Sequence, residues 1–314
     1  MSLENNFNLI PYEIIVHILN FLPLRQLIAM EEVCGFFKEI IVSTKWHHRV
    51  NLSKCGNRII KFVAKKYKFI KYILCSKIIN VNLKLFRHCQ EICLVLCFRI
   101  RDNGVKNLTM CKVINLTLCK ITDESVKKLG KCHVLILHGC DLITDESVKF
   151  LGKCKELDLS HCSKITDESV KYLGNCRILN LYCCDQITDT SVKYLGKCYS
   201  LNLGLCKNIT DDSIKYIGNC NKLNLSYCKI TDNGVKHLKN CQELNLYGCD
   251  EITDKGVKYL KNCRILCLSL CRKITDVGIK KLKCHKLVIS GCPNITKECI
   301  NQLRNRNVTV IVEI

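Results

Sequence analysis

Cysteine is the residue best placed to do chemistry in this chain: 27 thiols stand in 314 residues, and 20 of them fall into two registers. Cys89, Cys111, Cys132, Cys154, Cys176, Cys198, Cys220, Cys241, Cys263 and Cys284 make one column. Cys97, Cys119, Cys140, Cys162, Cys184, Cys206, Cys228, Cys249, Cys271 and Cys292 make the other, each eight residues after its partner. Thiols in such order could bind metal or exchange disulfides, and neighbours in one column would approach disulfide range on strands about 4.8 Å apart. Metal spacing is absent, however: no C-x-x-C occurs and no histidine recurs at matching intervals. Packing explains the columns better, since a buried thiol is a small hydrophobe with a weak donor, fit to bond a loop carbonyl of the next turn. Cys34, Cys93, Cys183, Cys267 and Cys299 lie off the columns, with nothing nearby that marks a nucleophile. P-loop, G-x-S-x-G and H-E-x-x-H patterns are missing too, so neither an enzyme nor a cofactor or metal is expected.

The elements that position the thiols follow the same clock. Asp102, Asp123, Asp145, Asp167, Asp189, Asp211, Asp232, Asp254 and Asp276 recur every 21 or 22 residues, mostly within Ile-Thr-Asp. In one unit, Leu157 and Leu159 sit at strand spacing and point to one side, while Glu156, Asp158 and Ser160 point to the other. Ile165 to Gly174 then supplies a cap, either Thr166 or Asp167, two apolar residues three apart and a closing glycine, which predicts about two turns of helix. A strand and a helix in 22 residues cannot bury their apolar faces alone. Copies must stack, with parallel strands joined by right-handed crossovers. The expected fold is α/β, a curved solenoid with a parallel concave sheet, degenerate over 51–90, regular over 91–292 and closed by a strand at 308–314.

Residues 1–55 hold five basic and five acidic residues, so the net charge of +21 belongs to the remainder. This compositional change marks a separate small all-α unit over 1–50. Pro11 enters a helix whose apolar stripe is Ile14, Ile15, Ile18, Leu19 and Leu22, and Pro23 is expected to end it. Leu24 to Met30 and Glu32 to Val42 give two more helical patterns, and Trp46 is the only tryptophan. The N-terminus lacks the basic stretch and apolar run of a signal peptide, and no apolar segment reaches spanning length. A reducing intracellular setting, cytoplasmic or nuclear, away from membranes, is the expectation.

From about 90 to 292 the chain resembles, nearly letter for letter, the cysteine-containing leucine-rich repeat, L-x-L-x-x-C-x-x-I-T-D-x-x-(V/L)-x-x-L-x-x-C. The resemblance implies a horseshoe with strands on its concave face and helices on its convex face. The order Ile10-Pro11-x-Glu13-Ile14, Leu22-Pro23, Leu27, Val33-Cys34, Phe37, Trp46 and Val50 resembles the F-box, with isoleucine at 10 in place of the usual leucine. An F-box followed by leucine-rich repeats is itself a family architecture, that of substrate receptors of Skp-cullin-F-box E3 ubiquitin ligases. By that resemblance Ile10, Pro11, Ile14, Leu22, Pro23 and Leu27 face the Skp adaptor, through it a cullin-RING ligase is engaged, and the concave face holds a protein substrate. The alternative is a repeat scaffold without a ubiquitin link, in which the first 50 residues only cap the solenoid.

Charge and strand alternation nominate two further surfaces. Residues 56–90 carry nine basic residues and no acidic one. Among them Arg58, Lys61, Lys65, Lys66, Lys68 and Lys71 are interleaved with Phe62, Tyr67, Phe69 and Tyr72, a composition that single-stranded nucleic acid favours. No RNA-binding motif accompanies it, and the aromatics also fit the core of decayed repeats, so an acidic partner is the preferred reading. On the concave face, Asn115, Asn180, Asn202, Asn224 and Asn245 form a ladder expected to bond only itself and water. His138, Glu156, Asp158, Tyr182, Lys222 and Tyr247 break the habit of the repeat and are the substrate-face candidates. Lysines four residues after each repeat aspartate read as a solvated convex face.

Overall fold

The computed structural model describes residues 10–74 and 78–312. Cys75, Lys77 and the end of the expected closing strand lie outside them. The chain divides into two units, Met1–Ile121 and Thr122–Ile314.

The first unit opens with three helices, α1 (Tyr12–Leu19), α2 (Leu24–Met30) and α3 (Gly35–Ser43). Pro23 does not end α1, which stops at Leu19; in extended conformation it is the residue that opens α2. The expected single stripe of α1 also divides, because Ile15 and Leu19 enter the core with Leu27, Phe37 and Ile41 while Ile14 and Ile18 stay outside. Trp46 is fully buried on β1 (Lys45–Asn51), and its indole N–H donates to the Ile41 carbonyl at 2.9 Å. That strand moves the expected boundary at 50: β1 pairs in parallel with β2 (Lys68–Ile73), so the sheet begins directly after α3. Helix α4 (Asn57–Lys66) crosses between them, followed by β3 (Glu91–Cys93) and β4 (Val113–Asn115).

The second unit is the regular solenoid. Its strands β5 (Val134–Ile136), β6 (Glu156–Asp158), β7 (Ile178–Asn180), β8 (Ser200–Asn202), β9 (Lys222–Asn224), β10 (Glu243–Asn245), β11 (Ile265–Cys267), β12 (Lys286–Val288) and β13 (Thr309–Ile311) pair in parallel in sequence order. The register sets Leu157 beside Leu179, then Leu201, Leu223, Leu244, Leu266, Leu287 and Val310. The strand leucines, both cysteine columns apart from Cys292, and the isoleucine before each Thr-Asp are almost wholly buried, so each repeat buries its apolar face only against its neighbours.

The helices are shorter than expected. Asp167–Val170 is one turn, as are its equivalents, except Asp211–Ile217 and the closing Lys297–Asn305. Thr166 is the cap: it is extended and its side chain accepts from the Glu168 N–H at 3.2 Å. The glycines are not helix-closing residues either, for Gly174 has no left-handed φ. They are there because the next repeat's backbone comes too close for a side chain. A Cβ on Gly174 would lie 2.5 Å from the Tyr194 carbonyl oxygen, and Gly130, Gly152 and Gly196 meet the same obstacle at Phe150, Tyr172 and Tyr216. Gly174→Ala is therefore expected to destabilise by roughly 1–3 kcal/mol through overpacking against backbone that cannot yield, whereas at Gly56, with open space around it, alanine is expected to be neutral; thermal melts of both variants check this.

Candidate functional site

The thiols take no part in chemistry that the geometry supports. Every described cysteine is unbonded to another. Second-column thiols donate to a carbonyl of the preceding repeat rather than the following one, Cys162 to Leu137 at 3.3 Å, Cys184 to Leu159 at 3.3 Å and Cys206 to Leu181 at 3.2 Å, whereas Cys97 turns to Val95 of its own repeat. Burial pushes Cys162 and Cys206 up to about 12 and Cys154 to about 11, which keeps them protonated and unreactive. Among the described residues no group of three or more His, Cys, Asp or Glu side chains could hold a metal ion. In the native protein a thiol reagent is expected to modify the partly exposed Cys34, Cys55, Cys93, Cys183, Cys267 and Cys292. The remaining column thiols, which are buried, should react only after denaturation, as peptide mass mapping with and without denaturant would show.

At the N-terminal helices the expected adaptor-facing residues separate by depth. Ile10 and Ile14 are 37% and 50% exposed, and Pro11 and Pro23 are exposed as well. Leu22 is half-buried. Leu27 is a correction: it is fully buried and can only support the face from beneath. Ile18 and Phe21, at 54% and 78%, continue the outer face of α1 and were missed because helical periodicity marks apolar residues without saying which of two faces is the core. Behind them Ile10, Ile15, Ile18, Leu19, Leu22, Met30 and Phe37 line an apolar groove of about 320 Å³.

The basic run of 56–90 does not form the interleaved surface its composition implied. Tyr67, Phe69 and Tyr72 are core residues, in ring contact with one another and with Trp46 and Phe86. Only Phe62 among the four aromatics is out in solvent, beside Arg58, Lys61 and Lys65 on α4. Lys66, whose ammonium lies 5.4 Å from the Phe62 ring, is paired with the Glu31 carboxylate at 2.5 Å, which raises its pKa. Lys68 is exposed, and Lys71 stands 4.0 Å from Glu91. The aromatics are thus the core of decayed repeats.

On the second unit the structure unites several substrate-face candidates. His138 packs edge-on against His161 with ring centroids 5.1 Å apart, and His161 lies 5.5 Å from Tyr182. Further along, Tyr227 and Tyr247 meet at 5.1 Å, and the side of Gly204 is covered by the Tyr182 ring. The result is a row of rings along the turns that leave the strands. Beneath it, His138 Nδ1 lies 2.7 Å from Ser160 Oγ, which donates to Asp158 at 2.5 Å, and Asn180 donates to the other Asp158 oxygen at 3.0 Å. Ser160, expected outside, is therefore buried within a polar network. Glu156 stands exposed on β6, and Lys222 pairs with Glu243 at 2.8 Å on the same sheet face.

His161 and Tyr227 were not foreseen, and their backbone shows why they matter. The residue before each second-column cysteine is left-handed: His161 (φ 59°), Cys183 (59°), Leu205 (61°), Tyr227 (59°) and Leu270 (59°), with Gly139, Gly248 and Gly291 in the same place. A left-handed non-glycine residue costs roughly 1–2 kcal/mol, and the recurring glycines were the signal that could have revealed it. Each N–H there continues the ladder, as when His161 donates to the Tyr182 carbonyl and Tyr227 to that of Tyr247. The asparagines bond neither each other nor water alone. Each caps the turn by accepting from the N–H two residues on, Asn180 from Tyr182 at 3.1 Å and Asn245 from Tyr247 at 3.0 Å.

With this geometry in hand, comparison with known proteins is informative. Residues 7–53 match the F-box-like family, and residues 112–130, 155–174, 221–239 and 240–261 match the leucine-rich repeat. No curated protein matches the sequence. Among solved structures, a chain in the crystal structure of the Rad7 and Elc1 complex in yeast superposes with a TM-score of 0.64 at 17% identity, over 99% of this chain and 88% of that one. An internalin (inlF) from Listeria monocytogenes gives 0.56 at 17% identity, over 74% and 75%. At such identities the likeness speaks for the fold, a leucine-rich-repeat solenoid. The chain carries an F-box-like domain at its N-terminus followed by leucine-rich repeats, and its architecture is that of an F-box/leucine-rich-repeat protein.

Proposed function

We propose that this chain is the non-catalytic substrate receptor of a Skp-cullin-F-box ubiquitin ligase. The outer face of α1 docks on the Skp adaptor, and the ring-lined turns of the second unit hold a protein substrate. What carries the reading is the exposed row Ile10, Ile14, Ile18 and Phe21 over an apolar groove, in the segment that matches the F-box-like family. A solvent-facing stripe of this kind on a small helical unit is a contact surface awaiting a partner. The chain itself contributes local concentration and orientation of the substrate, and other subunits supply the chemistry. No described helix is long and apolar enough to cross a membrane.

The scaffold alternative also has an observation in its favour. Trp46 and the Glu31–Lys66 pair tie the helices to the first repeats as a cap would be tied. Calorimetry of the full chain against purified Skp adaptor separates the two. The expected result is saturable binding that falls by at least a hundredfold in Ile14→Asp/Ile18→Asp, with the thermal midpoint held because both residues lie outside the core. A folded parent chain that fails to bind would leave the helices as a cap.

A further inference from the structure

The helical side of the second unit bears a second column that its fold does not require. The residue after each column lysine is Lys128, Phe150, Tyr172, Tyr194, Tyr216, His237, Tyr259 and Lys281 in successive repeats. The rings are out in solvent: Tyr194, Tyr216 and Tyr259 are 48%, 46% and 41% exposed. Packing does not explain them, because lysine serves at both ends of the series and only the backbone carbonyl of this residue presses on the glycine of the preceding repeat. Each ring is covered by its own lysine, with the ammonium 5.2 Å from the Tyr194 centroid at Lys193, 5.1 Å from Tyr216 at Lys215 and 5.0 Å from Tyr259 at Lys258.

The charge on this face changes along the chain. In the early repeats the lysine is neutralised three residues back, Lys149 by Glu146 at 3.0 Å and Lys171 by Glu168 at 2.8 Å. The equivalent glutamate position then becomes Thr190, Asp212, Asn233, Lys255 and Val277. Among the described residues no ion pair involves Lys193, Lys215, Lys236 or Lys258. The repeat aspartates form no ion pair with them, for their carboxylates are directed at the threonines of the following repeat. We propose that the helical face over residues 189–283 binds single-stranded nucleic acid, with phosphates on the lysines and bases stacked on Tyr194, Tyr216 and Tyr259. An acidic polypeptide would use the charges and leave the rings idle, whereas a ring beside a cation in each repeat suits a chain that is both anionic and aromatic.

The test is fluorescence anisotropy of the full chain with a labelled oligouridylate of about 20 nucleotides, alongside a duplex of equal length and heparin. Binding is expected to weaken with salt at a log–log slope of roughly −3, the value for about four phosphates on a single strand. Tyr194→Ala/Tyr216→Ala/Tyr259→Ala should lose at least tenfold in affinity at an unchanged slope, and Lys193→Gln/Lys215→Gln/Lys258→Gln should flatten the slope. Should the triple tyrosine variant melt early, Tyr216→Leu and Tyr259→Leu singly carry the same comparison. The proposal is overturned if the oligouridylate does not bind at low salt, if removing the rings leaves affinity unchanged, or if duplex and heparin bind as tightly as the single strand.

Discussion

Asp189→Ala will destabilise the second unit by about 3 kcal/mol, the largest effect expected of any single partly exposed residue. The aspartates that mark the repeat are not helix caps, because the preceding threonine does that work. Asp189 instead reaches into the next repeat, where it accepts from the Thr210 N–H at 3.0 Å, the Thr210 hydroxyl at 2.6 Å and the Ser213 hydroxyl at 2.5 Å. Asp145 and Asp167 repeat the arrangement on Thr166 with Ser169 and on Thr188 with Ser191. Removing the carboxylate leaves the Thr210 N–H and hydroxyl short of a partner and the almost wholly buried Ser213 with only a long 3.4 Å bond to the Thr210 carbonyl. Coupling in a solenoid passes only between neighbours, so the loss also weakens the link across which the unit unfolds cooperatively. Denaturant melts should show a lower midpoint and a broader transition. Asp212→Ala, which adjoins the next repeat aspartate Asp211 but is exposed, should stay within about 0.5 kcal/mol of the parent. Asp211→Ala should lie between, since Gly234 replaces the serine and only Thr231 donates.

The ladder ends at Asp276, where it becomes sensitive to acid. Burial pushes this carboxyl up, but the Thr296 N–H and hydroxyl at 2.8 and 2.7 Å, with Cys299 and Lys280, outweigh it and the pKa is lowered. A carboxylate depressed in the folded state contributes stability that is fully present above its unfolded pKa of about 4 and lost as pH falls through the folded value. The closing helix Lys297–Asn305 is thus expected to loosen first on acidification, and Asp276→Asn should remove that pH dependence while lowering stability at neutral pH. Amide exchange across residues 297–305 at falling pH reads both effects.

What was legible in the sequence, and what was not, follows from which interactions a period can express. The period carried the strand-and-helix unit, the parallel stack and the buried thiols, because each is a property of one residue type at one spacing. It could not show that Asp167 bonds residues 21 and 24 positions ahead, since a bond between repeats leaves the same trace as a cap within one. Nor could it show the left-handed position, where His161, Cys183, Leu205 and Tyr227 share nothing chemically except a backbone that suits glycine. The basic run misled for a related reason: composition places Phe69 and Tyr72 among lysines, but both rings are buried together with Ile70 on this strand, while Lys68 stays exposed and Lys71 half-buried. His138, Tyr182 and Tyr247 could be singled out as departures from habit, yet the rings that join them, His161 and Tyr227, were hidden in the turns.

Those two rings allow recognition to be separated from stability. His161→Gly/Tyr227→Gly should leave the unfolding free energy within about 1 kcal/mol of the parent, because relief of two left-handed side chains offsets the added chain entropy and lost ring contacts. Substrate affinity should fall roughly thirtyfold or more for each ring that acts as an anchor, the usual cost of truncating an aromatic at the centre of an interface. Leu205→Gly, at the same backbone position but outside the row of ring contacts, should show the relief without the loss. Under the proposed receptor function the readout is the ubiquitination profile of cells carrying parent or variant at matched abundance, together with the thermal midpoint of each purified protein. If the row of rings were only structural, the glycine variants would melt earlier and keep the parent's ubiquitination profile. A held midpoint with a lost profile would mean that the strain at His161 and Tyr227 is tolerated for the sake of what their side chains touch.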